Sequence, residues 1–303
     1  MQEYRSVCAE DAKGVFVKRP ERINKGDCGR LLCICGSYDE SGLGMCGAAY
    51  FAASAAYRMG AGIVEIFTPR ENYSPLAARL PEAVFSLYGK EENRSDVSSR
   101  LLDAIKRSDA VVLGCGLGKS AIARELVRAM LVNVDVPLVI DADALNIISE
   151  DSSLWSLIAG EQGERTVITP HPGEMSRLCG RSIKDILDDT VNTACKFALE
   201  KGITCLLKDS KTVISDGKTV YINQSGNSGM ASAGMGDVLA GIIGGCLVQQ
   251  KLTGVTDATY LTAVAAYIHG ACGDLAASEF GEYSLMASDI IEQIPTFFTT
   301  DIM

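Results

Sequence analysis

One stretch of this sequence runs from a loop of small residues into an apolar helix: Asn227-Ser-Gly-Met-Ala-Ser-Ala-Gly-Met-Gly-Asp237-Val-Leu-Ala-Gly-Ile-Ile-Gly-Gly245. Glycine lets the backbone approach a ligand closely and tolerates positive φ. The first amides of a helix lack partners within the helix, and the helix dipole favours an anion there. Gly234-Met-Gly236 therefore predicts a phosphate site, and Asp237 could take a proton from a hydroxyl bound beside it. The alternative is a tight turn in which Asp237 only complements the dipole.

The composition is that of an ordinary globular protein. Of its 303 residues, 47% are hydrophobic and 22% are charged. The net charge of −10 and the lack of a basic stripe argue against a nucleic-acid partner. Eleven cysteines without a Cys-x-x-Cys pair, and two histidines far apart, argue against structural zinc and for free thiols in the cytoplasm. The first six residues lack the apolar core of a signal peptide, and no apolar run is long enough to span a membrane.

Strand-like runs alternate with helical patterns, which predicts an α/β fold with a mostly parallel sheet covered by helices on both faces. The predicted strands are Leu31–Cys35, Ile63–Phe67, Ala83–Leu87, Ala110–Leu113, Pro137–Asp141, Arg165–Thr169 and Thr204–Leu207. The predicted helices include 47–59, 97–106, 121–132, one continuous helix over 183–198, and 260–277. Two runs around Asp216-Gly217 predict an antiparallel hairpin near one edge. No linker divides the chain, so we expect one domain over residues 1–303.

Polar and glycine-rich residues follow the ends of the predicted strands. In open α/β sheets, ligands bind outside the carboxyl ends of the strands, so a shared position there predicts one crevice. These residues are Gly36-Ser37, Gly114–Gly118, Asp141, Asp143, His171, Glu174 and Lys208.

Each of these features also has a structural interpretation. Gly114–Gly118 has neither the dinucleotide nor the Walker A spacing, so it is a platform for a ligand or a plain turn. Asp141 and Asp143 could hold Mg²⁺, although helix capping is favoured for Asp143. His171 could line a pocket or bond to backbone, and Lys208 could meet a nucleotide or only solvent.

Several motifs occur in order along the chain: Lys25-Gly-Asp-Cys-Gly29, Gly36-Ser37, Gly47-Ala48-Ala49, Gly114-Cys-Gly-Leu-Gly118, Asp141-Ala-Asp-Ala-Leu145, Thr169-Pro-His-Pro-Gly-Glu174, Lys208, and the stretch from Asn227 to Gly241. This set resembles the ADP/ATP-dependent NAD(P)H-hydrate dehydratases, carbohydrate-kinase-related repair enzymes of the ribokinase-like superfamily, over about residues 20–295. The pairing of Thr-Pro-His-Pro-Gly-Glu with Gly-x-Gly-Asp-Val-Leu-Ala-Gly is specific, whereas Gly-x-Gly-Asp alone indicates only the superfamily.

The resemblance implies a ribokinase-like three-layer sandwich and a lyase reaction. Hydrated NADH or NADPH would be dehydrated back to the active cofactor, at the expense of ADP or ATP. Phosphoryl transfer would turn the ring hydroxyl into a good leaving group, and with ADP the products would be AMP, phosphate and NAD(P)H. Mg²⁺ would bridge phosphate oxygens. Epimerisation, where it occurs, would come from a separate protein, and the small-residue helix over 47–59 hints at a homo-oligomer or equally at close core packing.

The resemblance also implies residue roles by motif position. Asp237 would be the catalytic base, and Gly234, Met235 and Gly236 would form the anion hole. The nucleotide would bind along Lys208, Asp209, Ser210, Lys211 and Thr212, and at Gly236. The hydrated dinucleotide would contact Ala48, Gly116, His171 and Asp237.

Three residues depart from the family pattern. Asn24 stands where His or Tyr is frequent, Cys115 replaces a proline, and Asp209 replaces a glycine beside the nucleotide lysine. The alternatives are a vitamin-precursor or sugar kinase of the same superfamily, and a non-catalytic nucleotide-sensing module. The His171 motif favours the dehydratase over the kinase, and an intact base argues against a sensor.

Overall fold

A computed structural model describes residues 4–39, 41–158 and 160–299. Residues 1–3, to which part of the signal-peptide expectation applies, lie outside this set. Ten strands form one sheet in the order β1-β10-β9-β8-β7-β6-β5-β2-β3-β4. They are β1 (Tyr4–Arg5), β2 (Arg30–Ile34), β3 (Ile63–Pro69), β4 (Val84–Tyr88), β5 (Ala110–Leu113), β6 (Leu138–Ile140), β7 (Thr166–Ile168), β8 (Thr204–Leu207), β9 (Val213–Ser215) and β10 (Val220–Ile222).

All pairings from β4 across to β8 are parallel, as the alternating pattern predicts. The hairpin around Asp216-Gly217 is confirmed, because β9 and β10 pair antiparallel, and β8 and β9 do so as well. Beyond the hairpin, β1 pairs with β10 in parallel, with Tyr4 opposite Val220. No periodicity in the sequence had indicated this two-residue edge strand.

The helices cover both faces of the sheet. They are α1 (Ala9–Val15), α2 (Cys46–Arg58), α3 (Tyr73–Arg79), α4 (Arg94–Lys106), α5 (Ala121–Asn133), α6 (Ala142–Glu150), α7 (Glu161–Glu164), α8 (Pro172–Cys179), α9 (Ile183–Asp188), α10 (Thr190–Lys201), α11 (Met235–Val248), α12 (Gln250–Thr253), α13 (Ala258–Phe280) and α14 (Ala287–Thr299). Two buried apolar clusters result: α1, α2, α3, α11, α13 and α14 pack on one face, and α4, α5, α6, α8, α9 and α10 pack on the other.

The predicted continuous helix over 183–198 is wrong in one respect, because it is two helices. Ser182 begins α9 by accepting a hydrogen bond from the Asp185 amide, and α9 ends at Asp189. Asp189 has φ −146° and ψ 55°, which no helix accommodates, and its carboxylate accepts a hydrogen bond from Asn192. The apolar period continues through this break, so periodicity alone did not show it.

The small residues of α2 serve the core. Ala49, Ala52 and Ala53 are fully buried. At Gly241 of α11, an added Cβ would lie 2.2 Å from the carbonyl oxygen of Ala52, so these two helices pack backbone against backbone. Close packing therefore accounts for the composition of α2. Among the described residues, no helix has both the length and the apolar character needed to cross a membrane.

Candidate active site

The amino terminus of α11 forms the floor of the candidate site. Gly234 precedes the helix with φ 91°, a conformation that favours glycine. A Cβ there would lie 2.7 Å from the Phe51 ring and 2.9 Å from Ala287, so α2 and α14 enclose this turn. The first hydrogen bond back into the turn comes from the Val238 amide, 3.0 Å from the carbonyl oxygen of Gly234. The amides of Met235, Gly236 and Asp237 therefore precede the hydrogen-bonded part of the helix and can face an anion.

Asp237 lies in the first turn of α11. Its side chain is largely buried beside the carboxylate of Asp141. Its pKa is raised to about 6, chiefly by burial and next by the charge of the neighbouring Asp141 carboxylate. The Cys115 thiol and the Lys208 ammonium group act in the opposite direction. A carboxylate with this pKa is ionised at neutral pH and still basic enough to accept a proton, which suits a general base.

Asp141 connects the candidate base to a lysine. It ends β6 and caps α6, with 1% of its surface exposed. Its Oδ1 accepts a hydrogen bond of 2.9 Å from Lys208 Nζ, and its Oδ2 lies 4.0 Å from the Cys115 Sγ. The next residue, Ala142, has φ 49°, the only positive φ at a non-glycine position among the described residues. Backbone strain at such a position is sustained by the surrounding structure and is frequent at functional sites.

Lys208 lies at the centre of the charged groups. Its Nζ is 2.9 Å from Asp141 and 3.9 Å from Glu174 Oε2. Burial lowers the pKa of Lys208, but the two carboxylates outweigh burial and leave it raised, so the ammonium stays charged. A Cβ added to Gly236 would lie 3.5 Å from Lys208 Nζ, which places the lysine beside the α11 amides. Lys208 is thus not a merely solvated lysine.

His171 and Glu174 form the start of α8. The His171 amide donates to Glu174 Oε2 at 2.9 Å, and His171 Nδ1 accepts from the Gly173 amide at 3.0 Å. Burial, together with Lys208 and Arg177, lowers the pKa of His171, so the ring is neutral at physiological pH. About half of the side chain remains exposed. Helix capping and ligand contact are therefore compatible roles for His171.

Residues 208–212 form the turn between β8 and β9. Asp209, Ser210 and Lys211 are exposed. The Asp209 carboxylate accepts a hydrogen bond of 2.7 Å from the Ser210 amide, and the Asp209 carbonyl oxygen accepts one from Thr212. The acidic side chain that replaces the family glycine is thus held by its own turn.

The glycine platform after β5 packs against the start of α2. A Cβ at Gly116 would lie 2.7 Å from the Ala48 Cβ, so the two residues assigned to the dinucleotide are in contact. We expected Asp143 to cap its own helix. This expectation is wrong, because Asp141 occupies the cap position. Asp143 Oδ2 accepts from the Gly118 amide at 2.8 Å and so fixes the platform.

A cavity of about 730 Å³ opens beside the platform, at the carboxyl ends of β2 to β5. Its walls include Gly118 of the platform. They also include Met45 and Lys119, which the sequence had not marked as ligand contacts. The structure also places the Cys115 Sγ and one oxygen each of Asp141 and Asp237 within 4.8 Å of one another. The adjacency of Cys115 and Asp141 follows from the pairing of β5 with β6, which the sequence did not specify.

Comparisons with known proteins identify the family of the chain. A family model described as NAD(P)H-hydrate dehydratase matches residues 31–296. The chain is 39% identical over 298 residues to a bifunctional NAD(P)H-hydrate repair enzyme of Moorella thermoacetica, covering 96% of this chain and 53% of that protein. It is 35% identical to the ADP-dependent (S)-NAD(P)H-hydrate dehydratase of Lactiplantibacillus plantarum, covering 96% of this chain and 95% of that one. The chain thus spans about half the length of the bifunctional relatives that it matches.

Solved structures show the same fold. An ADP/ATP-dependent NAD(P)H-hydrate dehydratase from Bacillus subtilis, co-crystallised with ATP and Mg²⁺, superposes with a TM-score of 0.79 at 25% identity, covering 98% of this chain and 99% of that one. A structure described as ribokinase-like superposes with a TM-score of 0.81, which confirms the predicted fold class. The chain belongs to the NAD(P)H-hydrate dehydratase family.

Proposed function

We propose that this chain dehydrates hydrated NADH or NADPH to the reduced cofactor, with ADP as the phosphoryl donor. The observation that carries the proposal is the position of Asp237, a carboxylate with a pKa of about 6, beside the amides that begin α11. A base and an anion site within one helical turn suit phosphoryl transfer to a bound hydroxyl.

The chemistry has two stages. Asp237 takes the proton of the ring hydroxyl, the hydroxyl oxygen bonds to the β-phosphorus of ADP, and the bond to the AMP oxygen breaks. The ring carbon–oxygen bond then breaks, phosphate leaves with the electron pair, and loss of a ring proton restores the double bond. Gly234, Met235 and Gly236 stabilise the charge on the transferred group. Each step uses a better leaving group than hydroxide.

The remaining roles are assigned to the walls of the crevice. The nucleotide contacts residues 208–212 and Gly236. The position of the charged Lys208 beside the α11 amides supports this assignment. Ala48, Gly116 and His171 contact the hydrated dinucleotide, and the contact between Gly116 and Ala48 supports their shared role. A neutral His171 can donate or accept a hydrogen bond without adding charge near the ring.

Mg²⁺ bound to the nucleotide would neutralise charge on its phosphate oxygens during transfer. The residues of this chain fit that ion, since Asp141 presents a buried carboxylate oxygen beside the α11 amides. Mg²⁺ in such sites usually takes one or two carboxylates and completes its shell with phosphates and water.

A product assay tests the proposed function. Protein, Mg²⁺, hydrated NADH and either ADP or ATP are mixed, and the return of reduced-nicotinamide absorbance is followed. AMP and phosphate should appear in equal amounts with ADP. A stable phosphorylated substrate would instead indicate a kinase, and nucleotide binding without turnover would indicate a sensor.

Four broader inferences accompany this proposal. Residues 1–303 act as one domain, which the single continuous sheet supports. The protein works in the cytoplasm, where reducing conditions would keep its eleven cysteines as thiols. It self-associates, and a separate epimerase supplies the correct epimer. Sedimentation of the purified protein would test self-association.

A further inference from the structure

We infer that Cys115, Asp141 and Asp237 form a binding site for a thiophilic divalent cation such as Zn²⁺, and that the cation inhibits the enzyme by occupying the base. The cation site stands on side-chain geometry alone, whereas the inhibition rests on the proposed function.

The first argument is convergence. The three ligand atoms come from three elements: the loop after β5, the cap of α6, and the first turn of α11. All three atoms lie within 4.8 Å of one another, and the Cys115 and Asp141 side chains are buried. Tetrahedral zinc with ligand bonds of about 2.0–2.3 Å requires sulfur and oxygen about 3.5 Å apart. The observed 4.0 Å between Cys115 Sγ and Asp141 Oδ2 needs only a small side-chain adjustment.

The second argument concerns the two oxygens of Asp141. Oδ1 accepts the hydrogen bond from Lys208 Nζ, and Oδ2 is the oxygen nearest the Cys115 sulfur. A cation can therefore bind Oδ2 without displacing the lysine from Oδ1. The Lys208 ammonium group repels a cation, but Asp141, Asp237 and the nearby Glu174 outnumber it.

The third argument is the ligand chemistry. A thiol is a poor ligand for Mg²⁺ and a good one for zinc, so the sulfur selects a softer ion than the one that accompanies the nucleotide. Binding would release the thiol proton to solvent and form a bond between sulfur and the metal. Water would complete the coordination shell. With its oxygen bound to metal, Asp237 could no longer accept the proton of the ring hydroxyl.

The test uses Co²⁺ as a spectroscopic substitute for zinc in the nucleotide-free, full-length protein. We expect one tetrahedral Co²⁺ per chain, with thiolate-to-cobalt charge-transfer absorption that Cys115→Ala abolishes. Cys246→Ala, a buried cysteine on α11, and Cys8→Ala, an exposed one, should leave the absorption intact. Asp141→Asn should keep the thiolate absorption but weaken the affinity, and it remains informative if Cys115→Ala fails to fold.

Inhibition is then measured with zinc in the dehydratase assay. The zinc concentration for half-inhibition should rise at least about tenfold in Cys115→Ala, because one ligand is lost. Absence of a charge-transfer band in the native protein, or an equal band in Cys115→Ala, would overturn the site. If the band appears and depends on Cys115 while zinc-free protein supplied with Mg²⁺ and ADP shows no dehydration, the proposed function fails and the cation site stands.

Discussion

At the residue scale, the proposed chemistry depends on the carboxylates of Asp237 and Asp141, which lie next to each other. Burial, followed by the charge of the neighbouring Asp141 carboxylate, raises the pKa of Asp237 to about 6, while Asp141 itself accepts a hydrogen bond from Lys208. The proposed base and the proposed cation site share this pair. Under these two proposals, activity and inhibition by metals would have a common electrostatic origin.

Replacing Asp237 with Asn should reduce turnover by about 10²- to 10⁴-fold, since the general base is lost. The amide is nearly isosteric and leaves the α11 amides in place, so ADP should still bind. Turnover by reduced-nicotinamide absorbance and ADP binding by calorimetry are the two measurements. Near-native turnover in this variant would exclude Asp237 as the base.

The pH dependence follows from the same group. Asp237 must be deprotonated to act, so kcat/KM should fall as pH drops through about 6 and level off above it. Lys208→Met removes a positive charge that lowers the pKa of Asp237, so the acidic limb should move to higher pH. Lys106→Met, an exposed change at the end of α4, is the control and should leave the limb unmoved. A limb that stays fixed in Lys208→Met would contradict the electrostatic assignment.

At the scale of elements, the packing of α11 against α2 fixes the position of the proposed anion site. Both helices carry small residues on the shared face, and the backbones meet at Gly241 and Ala52. The same pair of helices carries Gly234 and the neighbouring Phe51. A shift of α11 would therefore move the amides and Asp237 together.

Gly241→Ala should destabilise the protein by about 1–3 kcal/mol, because the new Cβ would lie 2.2 Å from the Ala52 carbonyl oxygen. Alanine normally stabilises a helix relative to glycine, so a loss of stability in Gly241→Ala would itself indicate close packing at this position. Gly14→Ala in α1, where no atom lies within 4 Å of the new Cβ, is the matched control and should be neutral or stabilising. Urea unfolding of both variants gives the comparison, and equal stabilities would contradict the close packing.

At the scale of the whole molecule, a buried ion network ties one half of the sheet together. Glu65 on β3 is fully buried and accepts hydrogen bonds from Arg30 of β2, from Ser86 of β4 and from Arg107 at the end of α4. Burial alone would raise the pKa of Glu65, but Arg107 and Ser86 outweigh it and lower the pKa. The network thus holds three strands and a helix in register.

Glu65→Gln should cost about 2–3 kcal/mol, toward the low end for a broken buried pair because both arginines can reach water. The lowered pKa means that the native carboxylate contributes stability above the ordinary pKa of glutamate. That contribution is lost as pH falls through the native value. The difference in unfolding free energy between native and variant should therefore be full at pH 7 and shrink in acid. A difference independent of pH would contradict the charge network.

The order of elements and most strand bounds could be predicted, because runs such as Ala110–Leu113 are continuously apolar and end at glycine. The start of a helix at Gly234 to Asp237 could also be predicted from local sequence, whereas the roles of these residues stay a prediction. The contact of Cys115 with Asp141 could not, since it depends on which strands are neighbours. Nor could β1 be predicted, since two exposed residues carry no pattern and gain their structure from β10.

The enclosure of Gly234 by Phe51 and Ala287 has a consequence for synthesis of the protein. The three residues belong to widely separated parts of the chain, so a growing polypeptide cannot complete this turn until α14 has emerged from the ribosome. Partly synthesised chains would expose the apolar face of α11 and have no organised phosphate site. Catalytic competence should therefore appear abruptly, late in translation, rather than grow with chain length.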